Sequence, residues 1–205
     1  MKASLNHKPF PESEDSKPRI IIIDPHGEYG HAFGDKATVY RGFSEDNNDA
    51  AAASTVQLPY WLMSSDEFRQ LVIGKTEFEA TSQANVVYKA LAHARMHSEG
   101  LVISADDPVR KSDGLGHPDL PRPTPQTDAS QIAQFNRDSP IPFDLDEFER
   151  HIILAQNNRQ MRNGWEPLTD GDYEKKFASI LDKLKTLRLD SRIAFLMKNY
   201  QVGQS

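Results

Sequence analysis

The sequence predicts an α/β fold: a partial parallel sheet at the N-terminal end, followed by a mainly helical subdomain. Three observations carry this expectation. Ile20-Ile21-Ile22-Ile23 is a run of four β-branched residues, the pattern of a strand buried on both faces in a parallel sheet. From Ser64 to His97, and again from Asp144 to Leu187, apolar residues recur at helical spacing. Seven of the thirteen prolines (Pro108, Pro118, Pro121, Pro123, Pro125, Pro140 and Pro142) fall within residues 104–142, between the two helical stretches.

In chain order, residues 1–17 are polar and carry a Glu-Ser-Glu-Asp cluster, so a flexible lead-in is expected. Residues 18–62 form the partial α/β core. Its first strand spans Arg19 to Asp24, a second Ala37 to Arg41, and a third Val56 to Leu58 before Pro59. Ser44 to Ser54 shows neither pattern and is expected to be a loop. Residues 63–103 form a helical pair. Ser64 or Ser65 caps a helix from Asp66 to Ile73, ended by Gly74. The next runs from about Glu77 to His97, with Phe78, Val86, Val87, Ala90, Leu91 and Ala94 on one side. His93, Arg95 and His97 suit the negative end of its dipole, and Gly100 terminates it. Residues 104–142 are expected to form a surface excursion or linker, with a short helix near Ala129 to Phe135. Residues 143–205 are a helical subdomain. Asp144 caps a helix to Gln156, and Thr169-Asp170-Gly171-Asp172 resembles a capping box opening another. Tyr173, Phe177, Ile180, Leu181, Leu184 and Leu187 share one face of that helix.

Composition bounds the function classes. The 205 residues carry a formal charge of -6, which weighs against an autonomous nucleic-acid binder. With no cysteine, disulfides and thiolate metal sites are excluded. No apolar run approaches the length of a membrane span, and Met1 to Lys17 lacks the apolar core of a secretory signal. A cytoplasmic location is the default expectation, with no membrane partner.

Chemistry-bearing residues concentrate at Asp24-Pro25-His26-Gly27-Glu28-Tyr29-Gly30-His31. Acids at the C-terminal end of a buried strand stand where open α/β sheets bind ligands. Asp24 and His26 could ligate a divalent metal, as in metallophosphoesterases, with Glu28 and His31 nearby. The further clusters such enzymes need, Gly-Asp-x-x-Asp-Arg-Gly and Gly-Asn-His, are missing from the sequence. Alternatively, Asp24 acts on Mg²⁺ beside a nucleotide's phosphates. That reading needs a phosphate cradle. Gly74-Lys75-Thr76 imitates the end of one, but the spacing demands glycine at position 69, which is Arg69. The site also lies between two helices, so it is a helix end. Leu101-Val102-Ile103-Ser104-Ala105-Asp106-Asp107 is too short a run, with Pro108 following, to serve as the acid strand that polarises water. Lys175, Lys176, Lys183, Lys185 and Arg188 are expected on a solvated helix face, and Pro59-Tyr60-Trp61 in the core.

Ile20 to Tyr29 closely resembles the Asp-x-His-Gly-Glu-Tyr strand of the HerA/FtsK class of ATPases, HerA-type DNA translocases in particular. Leu58-Pro59-Tyr60-Trp61-Leu62-Met63 with Asp66-Glu67-Phe68 is similar to that family's short strand and helix. Thr76-Glu77, Gln83-Ala84-Asn85 and Ala90 to Arg95 are similar to its next helix. Ser139 to Asp144 and Arg192 to Phe195 also match, so the likeness spans about residues 17–200.

The resemblance implies a partial RecA-like core in which the P-loop lies upstream of this segment. The acid strand and the arginine finger lie downstream, so the chain would be a central fragment. It implies ATP and Mg²⁺ in the context of a complete ATPase, with Asp24 near Mg-ATP as catalytic and metal-binding acid. Glu28 is the motif's second acid, and His26 and Gly27 shape the nucleotide-binding turn. It further implies hexameric rings with ATP between subunits, duplex DNA as the moved substrate, and a nuclease or NAD-consuming effector in anti-phage defence. Incompetence for ATP hydrolysis by the isolated chain follows from the missing P-loop. Two alternatives stand beside it: a non-catalytic subunit that docks on a full-length ATPase ring or effector, and a metal-dependent phosphoesterase.

Overall fold

A computed structural model describes residues 20–43, 54–73, 81–109, 120–156, 158–162, 164–167 and 177–197. The chain divides into two units, Met1–Val56 and Gln57–Ser205.

In the first unit, the isoleucine run departs from expectation. Ile20–Ile23 forms no regular secondary structure and belongs to no strand pairing among the described residues, and Ile21 and Ile23 are 91% and 88% exposed. A strand buried on both faces needs neighbours on each edge and helices on each side. β-Branched composition supplies neither, and the described residues place no strand beside it. Helix α1 (Tyr29–Phe33) follows, then a 3-10 turn at Gly34–Lys36. The expected strand at Ala37 to Arg41 shrinks to β1 (Tyr40–Arg41). It pairs in parallel with β2 (Ser54–Thr55), upstream of the Val56–Leu58 stretch expected to be the strand. The Val56 N–H donates to Arg41 O at 2.9 Å and extends that two-residue ladder. The expected parallel sheet is therefore present in the described residues as a single short pair.

The second unit is helical. Helix α2 (Ser65–Ile73) opens on a reciprocal capping box. The Glu67 N–H donates to Ser64 Oγ at 3.3 Å, and the Ser64 N–H donates to Glu67 Oε2 at 2.8 Å. Of the two candidate caps, Ser64 is thus the one used. A second anion reaches this helix end, because Asp138 Oδ1 accepts from the Ser65 N–H at 2.8 Å. Helix α3 (Thr81–Ser98) buries Val86, Val87, Ala90, Leu91 and Ala94, the stripe expected from the sequence. It ends in a Schellman motif: the Gly100 N–H donates to His97 O and the Leu101 N–H to Met96 O, both at 2.9 Å. Gly100 adopts φ +72° there, a conformation that costs a side-chain-bearing residue. Gly74, Glu77 and Phe78 lie outside the described residues.

Residues 120–142 double back on the helical unit. Val102 bridges Pro123 in antiparallel sense, the Ile103 N–H donates to Arg122 O, and the Thr124 N–H donates to Leu101 O, both bonds at 3.0 Å. Short helix α4 (Ala129–Ala133) follows, with a capping box between Asp128 and Gln131. Helix α5 (Leu145–Gln156) is capped by Asp144, whose Oδ1 accepts the Asp146 N–H at 2.9 Å. Next comes an antiparallel hairpin, β3 (Asn158–Met161) with β4 (Gly164–Pro167), in a register that pairs Met161 with Gly164. Helix α6 (Ala178–Leu189) buries Ile180, Leu184 and Leu187. The Thr169–Asp172 capping box and Tyr173 lie outside the described residues. A 3-10 turn at Ser191–Ile193, capped by Asp190, leads into α7 (Ala194–Met197).

The core of this unit centres on aromatic rings. Phe68 meets Phe143 and Phe148 edge-on at centroid distances of 6.0 and 5.3 Å, and Tyr60 meets Phe143 at 5.1 Å. Tyr60 also donates its hydroxyl to Phe143 O, so its one polar atom is satisfied in the interior. Burial of each such ring contributes roughly 2–3 kcal/mol. Arg95, which the sequence places near the negative end of the α3 dipole, turns inward and is 0% exposed. It donates to Met63 O at 2.8 Å and to Arg137 O, tying two loops to α3. Carbonyls unreachable from sequence spacing decide that rotamer.

Candidate functional site

The Asp24–Tyr29 turn owes its shape to Asp24 itself. The Gly27 N–H donates to Asp24 O at 3.4 Å, closing a β-turn with Pro25 at its second position. Gly27 leaves that turn at φ +71°. The Tyr29 N–H, the first of α1, donates to Asp24 Oδ2 at 2.8 Å. This hydrogen bond above all holds the Asp24 carboxyl below the usual carboxylate range, against the opposing effect of desolvation. The N–H groups of Glu28, His26 and Gly27 add to it. Asp24 is therefore ionised, partly exposed, and bound by its own loop.

The other expected site residues do not converge on it. His26, Gly27 and Glu28 are exposed. The side chain of His31 lies outside the described residues. Among the described residues, no three of His, Asp and Glu group to hold a metal ion. The amides of the turn that would be needed to cradle a phosphate point at Asp24. The described residues of this chain do not by themselves fit Mg-ATP. Arg188, expected on a solvated basic face, donates to Asp146 at 2.7 Å and Glu149 at 3.0 Å on α5. Lys183 and Lys185 are exposed as expected. Lys175 and Lys176 lie outside the described residues.

A second polar cluster, absent from the sequence reading, lies between α3 and α5. Glu147 is 1% exposed and accepts four hydrogen bonds. Its Oε1 lies 2.7 Å from His93 Nε2 and takes the Ala105 N–H at 2.6 Å. Its Oε2 takes the Ser104 hydroxyl at 2.8 Å and Arg150 at 3.0 Å. Burial pushes the Glu147 carboxyl up, but His93, the Ala105 N–H, Ser104 and Arg150 outweigh it and hold the group well below the ordinary range. His151 packs edge-to-face on His93 at 4.6 Å. The sequence held a signal for this cluster: Glu147 and His151 interrupt the Leu145-Phe148-Ile152 stripe four residues apart.

Residues 12–186 match the family model described as the central domain of helicase HerA. The chain belongs to the HerA central-domain family. Both the Asp24 turn and the Glu147 cluster fall within the matched span of this HerA domain. No curated protein matches the chain. No described helix is long and apolar enough to cross a membrane.

Proposed function

We propose that this HerA central domain is part of an ATP-dependent DNA translocase or helicase and does not hydrolyse ATP by itself. The observation that carries this reading is the family match over residues 12–186, with Asp24-x-His26-Gly27-Glu28-Tyr29 at its start. In the complete assembly, other segments or subunits supply the P-loop. Asp24 then serves Mg²⁺ and ATP at a subunit boundary of a hexameric ring acting on duplex DNA. His26 and Gly27 shape the nucleotide-binding turn, and Glu28 is its second acid. The ring works in the cytoplasm with a nuclease or an NAD-consuming effector in anti-phage defence. The unpaired isoleucines before Asp24 support this reading, since their side chains are available to a sheet that other segments complete.

The test is phosphate release from Mg-ATP by the purified chain, with and without duplex DNA. No turnover is expected, and Asp24→Ala changes nothing. Turnover abolished by Asp24→Ala overturns the proposal. A second experiment captures the tagged chain from its native source and assays the captured ATPase. If Asp24→Ala silences that ATPase without releasing it, the site reading holds.

A second reading has one observation in its favour: Asp24 is already bound by its own turn. The chain is then a non-catalytic subunit docking on a ring or effector, and Asp24→Ala leaves the captured ATPase unchanged.

A further inference from the structure

Along α6 the side chains repeat symmetrically about Lys185. Leu181 and Leu189 lie four residues to either side of it, and Asp182 and Arg188 lie three residues to either side. At about 100° per residue, all five fall within about 120° of arc, on a face adjoining the buried stripe of Ile180, Leu184 and Leu187. That face opens on a groove of about 410 Å³ between α6 and α5, which Ile153 also lines. Ile153 is 40% exposed and Leu189 76%, so apolar surface faces solvent both in the groove and at its edge. Arg188 is anchored on the α5 side, where its Nη1 donates to Asp146 and Glu149. A guanidinium carries five N–H donors, and Nε and Nη2 of Arg188 make no hydrogen bond among the described residues. Asp182 is exposed and has no ion pair among the described residues.

We propose that this face docks on the same face of a second copy of the chain, with the two α6 helices antiparallel and a two-fold axis beside Lys185. A two-fold contact needs a self-complementary patch, in which residue i meets j and j meets i. Rotation about that axis lays Leu181 against Leu189 of the second copy, and Asp182 against its Arg188, each pairing occurring twice. The incoming Leu189 enters the groove beside Leu181 and Ile153, which takes its apolar surface out of water. The incoming Asp182 meets the spare donors of Arg188 at the rim, where a charge pair fixes register more than it adds affinity. Lys185 falls at the axis, and its flexible stem carries the ammonium outward toward Asp182 and Glu149. Such a contact closes at two chains. It differs from the head-to-tail boundary of a ring, so it stands independently of the ATPase reading.

The experiment is sedimentation equilibrium of the full chain over about a hundredfold range of concentration, with a thiol cross-link as a second readout. The mass should rise from one chain to two and stop there. A mass that stays at one chain, or that passes two, overturns the proposal. Leu189→Glu alters an exposed position outside the core and should raise the dissociation constant about tenfold or more. An unchanged constant overturns the proposal. The sequence lacks cysteine, so Lys185→Cys supplies the only thiol. Helices packed about 8–10 Å apart, with Cα atoms about 2.3 Å from each axis, place facing Cα atoms roughly 3.5–5.5 Å apart, which overlaps disulfide reach. Mild oxidation should link Lys185→Cys chains in pairs and leave Lys183→Cys chains, altered on the opposite side of α6, unlinked. Equal linking of the two variants, or no linking of Lys185→Cys, overturns the proposal.

Discussion

Replacing Glu147 with glutamine tests whether the buried carboxylate organises the α3–α5 junction. The side chain keeps its shape, but its charge is lost and one acceptor oxygen becomes a donor. That donor must face either the His93 and Ala105 pair or the Ser104 and Arg150 pair, all of which now donate to Glu147. At least one partner is left buried against another donor. Breaking a buried pair this way costs roughly 3–5 kcal/mol. For a chain of this length each kcal/mol lowers Tm by roughly 2–4 °C, so a 3 kcal/mol loss lowers it by about 6–12 °C. Thermal and urea unfolding at pH 7, followed by circular dichroism, measure both quantities. The pH dependence adds a second signature. Because the folded state holds the Glu147 carboxyl below its ordinary value, its contribution is fully present above about pH 4.3 and is lost as pH falls further. The gap between the unaltered chain and Glu147→Gln should therefore narrow progressively as pH falls below about 4.3. A loss below about 1 kcal/mol at pH 7, or a gap that ignores pH, refutes the assignment.

Ser64→Ala removes the acceptor for the Glu67 N–H and should cost about 1 kcal/mol in urea unfolding. Gly100→Ala should cost about 1–2 kcal/mol from backbone conformation alone, because a Cβ there meets nothing within 4 Å. Ile21→Lys should shift thermal stability by less than about 0.5 kcal/mol, since Ile21 is 91% exposed; a larger loss would show that the isoleucine run packs after all.

Helix existence was legible because its causes are local. Ser64, one of the two caps the sequence offered, Asp144 before Leu145, and Gly100 at the end of α3 act within one turn, and each is used in the structure. The stripe from Val86 to Ala94 likewise declares its own buried face. The isoleucine run was misleading because strand formation is not local. Four β-branched residues state a preference, but a ladder needs a partner that this segment does not find among the described residues. The β3–β4 hairpin went unread because its strands carry little apolar alternation. At the candidate site, the sequence located Asp24 and its turn. It could not reveal that the carboxylate would be engaged by the Tyr29 amide, because that depends on the turn's geometry. Glu147 lay open to detection as an acid in an apolar stripe, but His93 sits 54 residues away, and only packing brings the two together.

The antiparallel contact of Leu101–Ile103 with Arg122–Thr124 has a practical side. It clamps the two ends of the intervening chain at a fixed separation, whatever lies between them. Lengthening a chain whose ends are already held costs only about 0.6 kcal/mol for each doubling. Residues added to the chain between these two segments would therefore leave the contact itself in place. The absence of cysteine from the sequence lets a single thiol placed at the exposed Leu120, beside this contact, be labelled without competition.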